Sequence, residues 1–285
     1  MARLIGCDFS SRPSPRKPIV IATGTLENGC VRLESLQRLA SLDAFGGWLA
    51  RPGDWVGAFD FPFGLPRELV LQLGWPATWP ECMRHYAGLT RAQIREQFAA
   101  FCNGRPVGGK FAHRATDVPA GSSPSMKWVN PPVAYMLHAG VPLLIAAGVA
   151  LPGLSAGAPE DVDGRGVARR IGLEGYPGLL AREVLGARSY KSDDRHKQTP
   201  QRQSHREQLL VALEAGHTRL DLRLRLDPAQ RVTLLNDGSG DCLDAVLCLL
   251  QAAWGAARGA PWFGLPEALD PLEGWIVSAA YTARR

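Results

Sequence analysis

Apolar runs that stop at an acid recur along this chain. Leu4-Ile-Gly-Cys-Asp8, Trp55-Val-Gly-Ala-Phe-Asp60 and Ile171-Gly-Leu-Glu174 each read as a short strand covered on both faces, because the apolar run is continuous rather than alternating. Ile19 to Thr23 is a further strand of this kind, Asn28-Gly29 signals a hairpin, and Cys30 to Ser35 alternates as a half-exposed strand does. Leu36 to Ala50 predicts a helix, weakened by Gly46-Gly47, that crosses over to the strand of Asp60. The chain therefore opens as an antiparallel meander followed by a crossover. If the strands of Asp8 and Asp60 lie parallel and adjacent, both acids reach the carboxyl edge of the sheet, where open α/β sheets place ligands. Taken singly, either Asp is better explained as the start of an Asx-turn.

A second pattern lies near the C-terminus. After the turn Asp237-Gly-Ser-Gly240, residues Leu243, Val246, Leu247, Leu250 and Trp254 recur at helical spacing, with apolar residues on most other faces, which predicts a buried helix. Its first turn carries Asp241 and Asp244, three apart and so on one face. Asp241 complements the helix dipole. Asp244 is flanked by Leu243, Ala245 and Leu247, and a buried carboxylate there needs a partner, for which a metal ion is one candidate.

Residues 74–165 depart from the strand pattern. Arg91 to Phe101 is an amphipathic helix, and Val133 to Gly140 a second helix. Between them Asn103 to Pro132 is a Gly-, Pro- and Ser-rich loop that holds Lys110, Arg114, Lys127 and Trp128. Basic residues interleaved with aromatics suit a phosphate backbone and a stacked base, against the alternative of a solvated flexible loop. Farther on, Gly178 to Leu185 and Gln203 to Ala215 read as helices, Ala187 to Arg206 as a mobile flap or solvated surface, and Leu220 to Leu226 as a strand or short helix.

Composition adds less. A net charge of +5 permits contact with polyanions. No apolar run approaches the ~18–20 residues of a membrane span, and an acid interrupts the opening apolar run before a signal peptide could form, so the expectation is a soluble cytoplasmic protein. The six cysteines are scattered with no CxxC pair and read as buried reduced thiols.

Gly6-Cys-Asp8, Asp60-Phe-Pro-Phe-Gly-Leu-Pro66, Glu174-Gly-Tyr-Pro177, Asp241-Cys-Leu-Asp-Ala-Val-Leu-Cys248 and Glu273-Gly-Trp-Ile276, in this order, resemble domain of unknown function 429, a predicted RNase H-like nuclease family. The resemblance spans Leu4 to Ile276. It implies one α/β domain over residues 1–285 with an RNase H-like fold. That fold has a mixed five-stranded sheet ordered 3-2-1-4-5 and flanked by helices, here with residues 74–165 inserted after the fourth strand. Asp8, Asp60, Asp241 and Asp244 fall where RuvC-type members of that superfamily carry acidic metal ligands. Those enzymes usually place Glu rather than Asp after the fourth strand, and Asp43 is only a weak match to the helix acid of ribonuclease H proper.

The implied activity is phosphodiester hydrolysis of nucleic acid by two Mg²⁺ or Mn²⁺ ions, which clustered carboxylates suit because hard cations take oxygen ligands. Asp8 would bridge the ions, Asp60 would bind one, and Asp241 with Asp244 the other. Lys191 would neutralise phosphate charge and Ser10 hydrogen-bond to it, with Glu174 an extra ligand or substrate contact. Two other classes remain: an inert module of this fold that binds nucleic acid or protein, and an actin-like nucleotide phosphotransferase. The second normally needs glycine-rich phosphate loops after its strands, and none is evident.

Overall fold

The computed structural model describes residues 3–281, so both ends of the 1–285 reading lie outside it. Strands β1 (Arg3–Asp8), β2 (Ile19–Glu27), β3 (Cys30–Leu39), β4 (Trp55–Phe59), β5 (Arg170–Glu174) and β6 (Arg223–Arg225) form one mixed sheet in the order β5-β4-β1-β2-β3-β6. The helices, in chain order, are α1 (Leu42–Leu49), α2 (Arg67–Gln72), α3 (Trp79–Ala87), α4 (Arg91–Asn103), α5 (Asp117–Ala120), α6 (Val133–Ala146), α7 (Pro177–Leu185), α8 (Pro200–Ala215), α9 (Pro228–Asn236) and α10 (Asp241–Arg258). The class is α/β. The expectation of five strands falls short by one: β6 pairs in parallel with β3 through Cys30–Arg223 and Arg32–Arg225 and adds a sixth at that edge.

The apolar runs explain the layering. Leu4, Val20, Ala22 and Ala58 point to a core shared with α7, α8 and α10, while Ile5, Cys7, Ile19, Ile21 and Phe59 point to one shared with α1, α3, α4 and α6. Period-two side chains that are apolar on both sides hold a central strand between two helical layers. At the β2–β3 turn, Asn28 (φ 49°) and Gly29 (φ 71°) both take left-handed backbone, as a two-residue hairpin turn with the twist of its strands requires.

Several elements differ from expectation. Strand β3 continues to Leu39, past a register shift after Leu33 that ends its alternation, and the helix expected from Leu36 starts only at Leu42, where the Ser41 side chain accepts the Ala44 N–H. Helix α6 does not stop at Gly140 but runs through Pro142 to Ala146, because Val141 and Leu144 are both buried. The stretch from Asn103 to Pro132 is no free loop: it contains α5 and buries Arg114, Thr116, Asp117 and Ser125. The polar stretch from Ala187 to Arg206 is likewise held in place: the carbonyls of Ser189, Tyr190 and Lys191 are bonded to side chains of α8 within the same stretch, and the Ser192 N–H donates to the Gly238 carbonyl. No helix among the described residues is long and apolar enough to cross a membrane.

Candidate metal centre

Three elements deliver carboxylates to one point. β1 ends at Asp8 and β4 is followed by Asp60; the parallel register Cys7–Phe59 sets the two acids side by side, and the Asp60 N–H donates to the Cys7 carbonyl at 2.9 Å. Helix α10 supplies Asp244 by crossing β1 at Gly6. A Cβ at Gly6 would fall 2.0 Å from the Ala245 carbonyl oxygen and 2.2 Å from the Leu249 nitrogen, so only glycine lets the helix seat there. The start of α10 is fixed in turn by the Asp237 carboxylate, which accepts the Cys242 N–H at 2.8 Å, and by Gly240, whose φ of 79° turns the chain into the helix.

One oxygen from each of Asp8, Asp60 and Asp244 lies within 4.8 Å of the other two. Asp244 is fully buried, whereas Asp8 and Asp60 are partly exposed to a cleft of about 670 Å³. Burial, reinforced by the charge of Asp244, pushes the Asp60 carboxyl up to about 7 against the pull of Lys191. The same two causes hold the Asp8 carboxyl well above the usual carboxylate range. Tyr190 donates its hydroxyl to Asp244 Oδ1 and Lys191 its ammonium to Oδ2. Among the described residues no protein donor reaches the side chain of Asp8 or Asp60. Two like-charged groups held together without donors, on hard oxygen atoms, fit a divalent cation of the Mg²⁺ type.

Asp241 stands outside this group of three. It borders the same cleft from the first position of α10, and burial raises its carboxyl, opposed by the Ser239 hydroxyl and by Lys191. Glu174 also lines the cleft, yet its oxygens are occupied: Oε1 accepts from Arg114 at 2.6 Å, and Oε2 from Arg114 at 2.8 Å and from the Phe63 N–H at 2.9 Å. The carboxylate anticipated as an extra ligand, substrate contact or catalytic group thus anchors Arg114 and the chain after Asp60. Arg114 was expected to meet substrate phosphate, and its guanidinium is instead engaged inside the protein. Only 2% exposed, it gives its five N–H groups to Asp117, Glu174 and the Glu273 carbonyl, which leaves none for a ligand.

Arg114 borders the cleft, whereas Lys110, Lys127 and Trp128 do not. Trp128 packs its ring against Phe111, with centroids 5.4 Å apart, and against Phe98 at 6.4 Å, so it serves the core instead of a base. Ser10 does reach the cleft, where its hydroxyl accepts the Arg12 N–H at 3.3 Å; Ser122, Ser123, Ser189, Ser192 and Ser239 line other walls. Tyr190, which completes the shell of Asp244, had no signal in the sequence beyond its place beside Lys191. Asp117, which pairs with Arg114 three residues before it, was not singled out, and Glu273 was quoted only within a motif, its partner Ala115 being remote along the chain.

No family model, curated protein or solved structure matches the chain. The site is therefore read from its own geometry.

Proposed function

We propose that this chain is a metal-dependent nuclease of RNase H-like fold, hydrolysing phosphodiester bonds of nucleic acid in the cytoplasm. The observation that carries the reading is the convergence of Asp8, Asp60 and Asp244 within 4.8 Å, with Asp8 and Asp60 free of donors from the described residues at the cleft floor. The run β3-β2-β1-β4-β5 inside the six-stranded sheet supports the fold assignment and, with it, the likeness to domain of unknown function 429. Asp8 and Asp60 would hold Mg²⁺ or Mn²⁺, beside the negative charge of Asp244. When bound, such an ion supplies charge relief at phosphorus and an activated water. Ser10 and the other cleft serines can donate to phosphate oxygens, and Lys17 at the rim adds positive charge although Asp193 shares it.

The test is incubation of the protein with end-labelled single-stranded and duplex DNA and RNA, with Mg²⁺ or Mn²⁺, beside Asp8→Asn and Asp60→Asn. The reading expects cleavage that needs the ion and falls at least about a hundredfold in either variant. Cleavage that persists in EDTA or in both variants would refute it.

One observation favours a second reading, a binding module without turnover: Asp244 already has both oxygens satisfied by Tyr190 and Lys191. Nucleic-acid binding without cleavage, unchanged by Asp8→Asn, is what that reading expects.

A further inference from the structure

Lys191 is the fourth member of the acid cluster, and the fold builds it in. Its ammonium donates to Oδ2 of the buried Asp244, whose Oδ1 is taken by the Tyr190 hydroxyl. The backbone that carries it is held carbonyl by carbonyl. Ser189 O is bonded to the His205 ring at 2.8 Å, Tyr190 O accepts from Arg206 at 2.7 Å, Lys191 O from Arg202 at 2.8 Å and Ser192 O from Gln198 at 2.8 Å. The Ser192 N–H in turn donates to Gly238 O at 3.0 Å, which ties this strip to the turn before α10. Gly240 leaves space for the lysine stem: a Cβ there would lie 2.7 Å from Lys191 Cβ and 2.9 Å from its Cδ. The backbone that carries Lys191 is thus fixed, and its side chain, 41% exposed at the cleft, is anchored through Asp244.

The two sides of the cluster therefore differ. On the α10 side, Asp244 has protein partners on both oxygens, and the lysine charge acts on Asp241 as well. On the sheet side, Asp8 and Asp60 have none among the described residues. We propose that Lys191 is the resident cation of the α10 side, standing in for the ion that Asp241 and Asp244 would otherwise hold. The chain then binds a single divalent ion, between Asp8 and Asp60. This rests on the metal-dependent reading above and replaces the two-ion expectation. A second ion at Asp244 would have to displace the ammonium or sit beside its positive charge, and repulsion between near cations opposes that.

The test is calorimetric titration of Mn²⁺ into the intact wild-type chain, Lys191→Met, Lys191→Arg and Asp8→Asn, with electron paramagnetic resonance of the loaded samples. Expected are one ion per wild-type chain, with the spectrum of an isolated Mn²⁺. Lys191→Met, similar in length but uncharged, should take two ions whose spins couple, and should bind the first about tenfold or more tightly. Lys191→Arg should return to one. Two coupled ions in the wild type would overturn the inference without any variant having to fold. So would a folded Lys191→Met that binds one ion at wild-type affinity. No saturable binding by the wild type, or binding indifferent to Asp8→Asn, would instead overturn the metal reading and this inference together.

Discussion

Arg114 and Glu174, 60 residues apart in sequence, face each other through two hydrogen bonds of 2.6 and 2.8 Å, side by side in a buried setting. The pair fastens residues 103–132 to the end of β5. It also holds the chain that follows Asp60, since the Glu174 carboxylate accepts the Phe63 N–H at 2.9 Å. Removing the guanidinium leaves Glu174 and Asp117 as buried charges without a counterion. Arg114→Met should therefore cost about 3–5 kcal/mol of stability, measured by urea denaturation. The triple change Arg114→Met, Glu174→Gln, Asp117→Asn should recover part of the loss; a single variant as stable as wild type would contradict the account.

Gly6→Ala tests the seating of α10. With the Ala245 carbonyl oxygen 2.0 Å from the new Cβ, the helix has to lift from β1, and the contact is backbone on both sides, so no rotamer relieves it. A loss beyond about 3 kcal/mol is expected, at the upper end for one methyl group. Divalent-ion affinity should fall with it, because Asp244 moves with the helix while Asp8 and Asp60 stay on the sheet. Circular dichroism melts paired with Mn²⁺ titration would read both effects.

The pH dependence has a definite sign. The Asp60 carboxyl ionises near 3.8 in the unfolded chain and is pushed up to about 7 in the fold, and Asp8 moves the same way. Between those values the folded state holds protons that the unfolded chain has released. Stability in EDTA should thus fall as pH rises from about 5 to about 8. Ion binding requires ionised carboxylates, so the rise in Tm on adding Mg²⁺ should grow over the same interval. Scanning calorimetry across pH with and without Mg²⁺ checks both; a Tm in EDTA that climbs through this range would count against the clustered acids.

Asp8→Asn separates function from stability. It removes one of three crowded carboxylates, so the ion-free protein should gain about 0.5–2 kcal/mol at neutral pH while losing Mn²⁺ binding. A variant that loses stability in EDTA would show that Asp8 has a structural partner.

The sheet acids were legible in the sequence because a continuous apolar run followed by Asp states both the strand and its end. Asp244 was legible because helical spacing buried it. What stayed hidden were long-range pairings. Arg114 and Glu174 look like a surface base and a site acid until the fold brings them together, and nothing local distinguishes a guanidinium that meets phosphate from one that meets Glu174, Asp117 and a carbonyl. Lys191 was singled out, but for phosphate rather than for Asp244. Helices α2, α3 and α9 were missed altogether. Helix α9 follows Pro228, with Asp227 and Gln230 in a reciprocal cap that can be read in retrospect.

The acid cluster draws on residues 8, 60 and 244, so its members are made at widely separated moments of synthesis. A nascent chain that has reached only β5 owns the sheet pair but neither the carboxylate nor the ammonium of the helix side. Contacts of such large sequence separation form late and slowly. The cluster thus comes into being only once α10 has left the ribosome and docked on β1, and until then the partly made chain carries two carboxylates whose third neighbour and whose balancing ammonium are still to come.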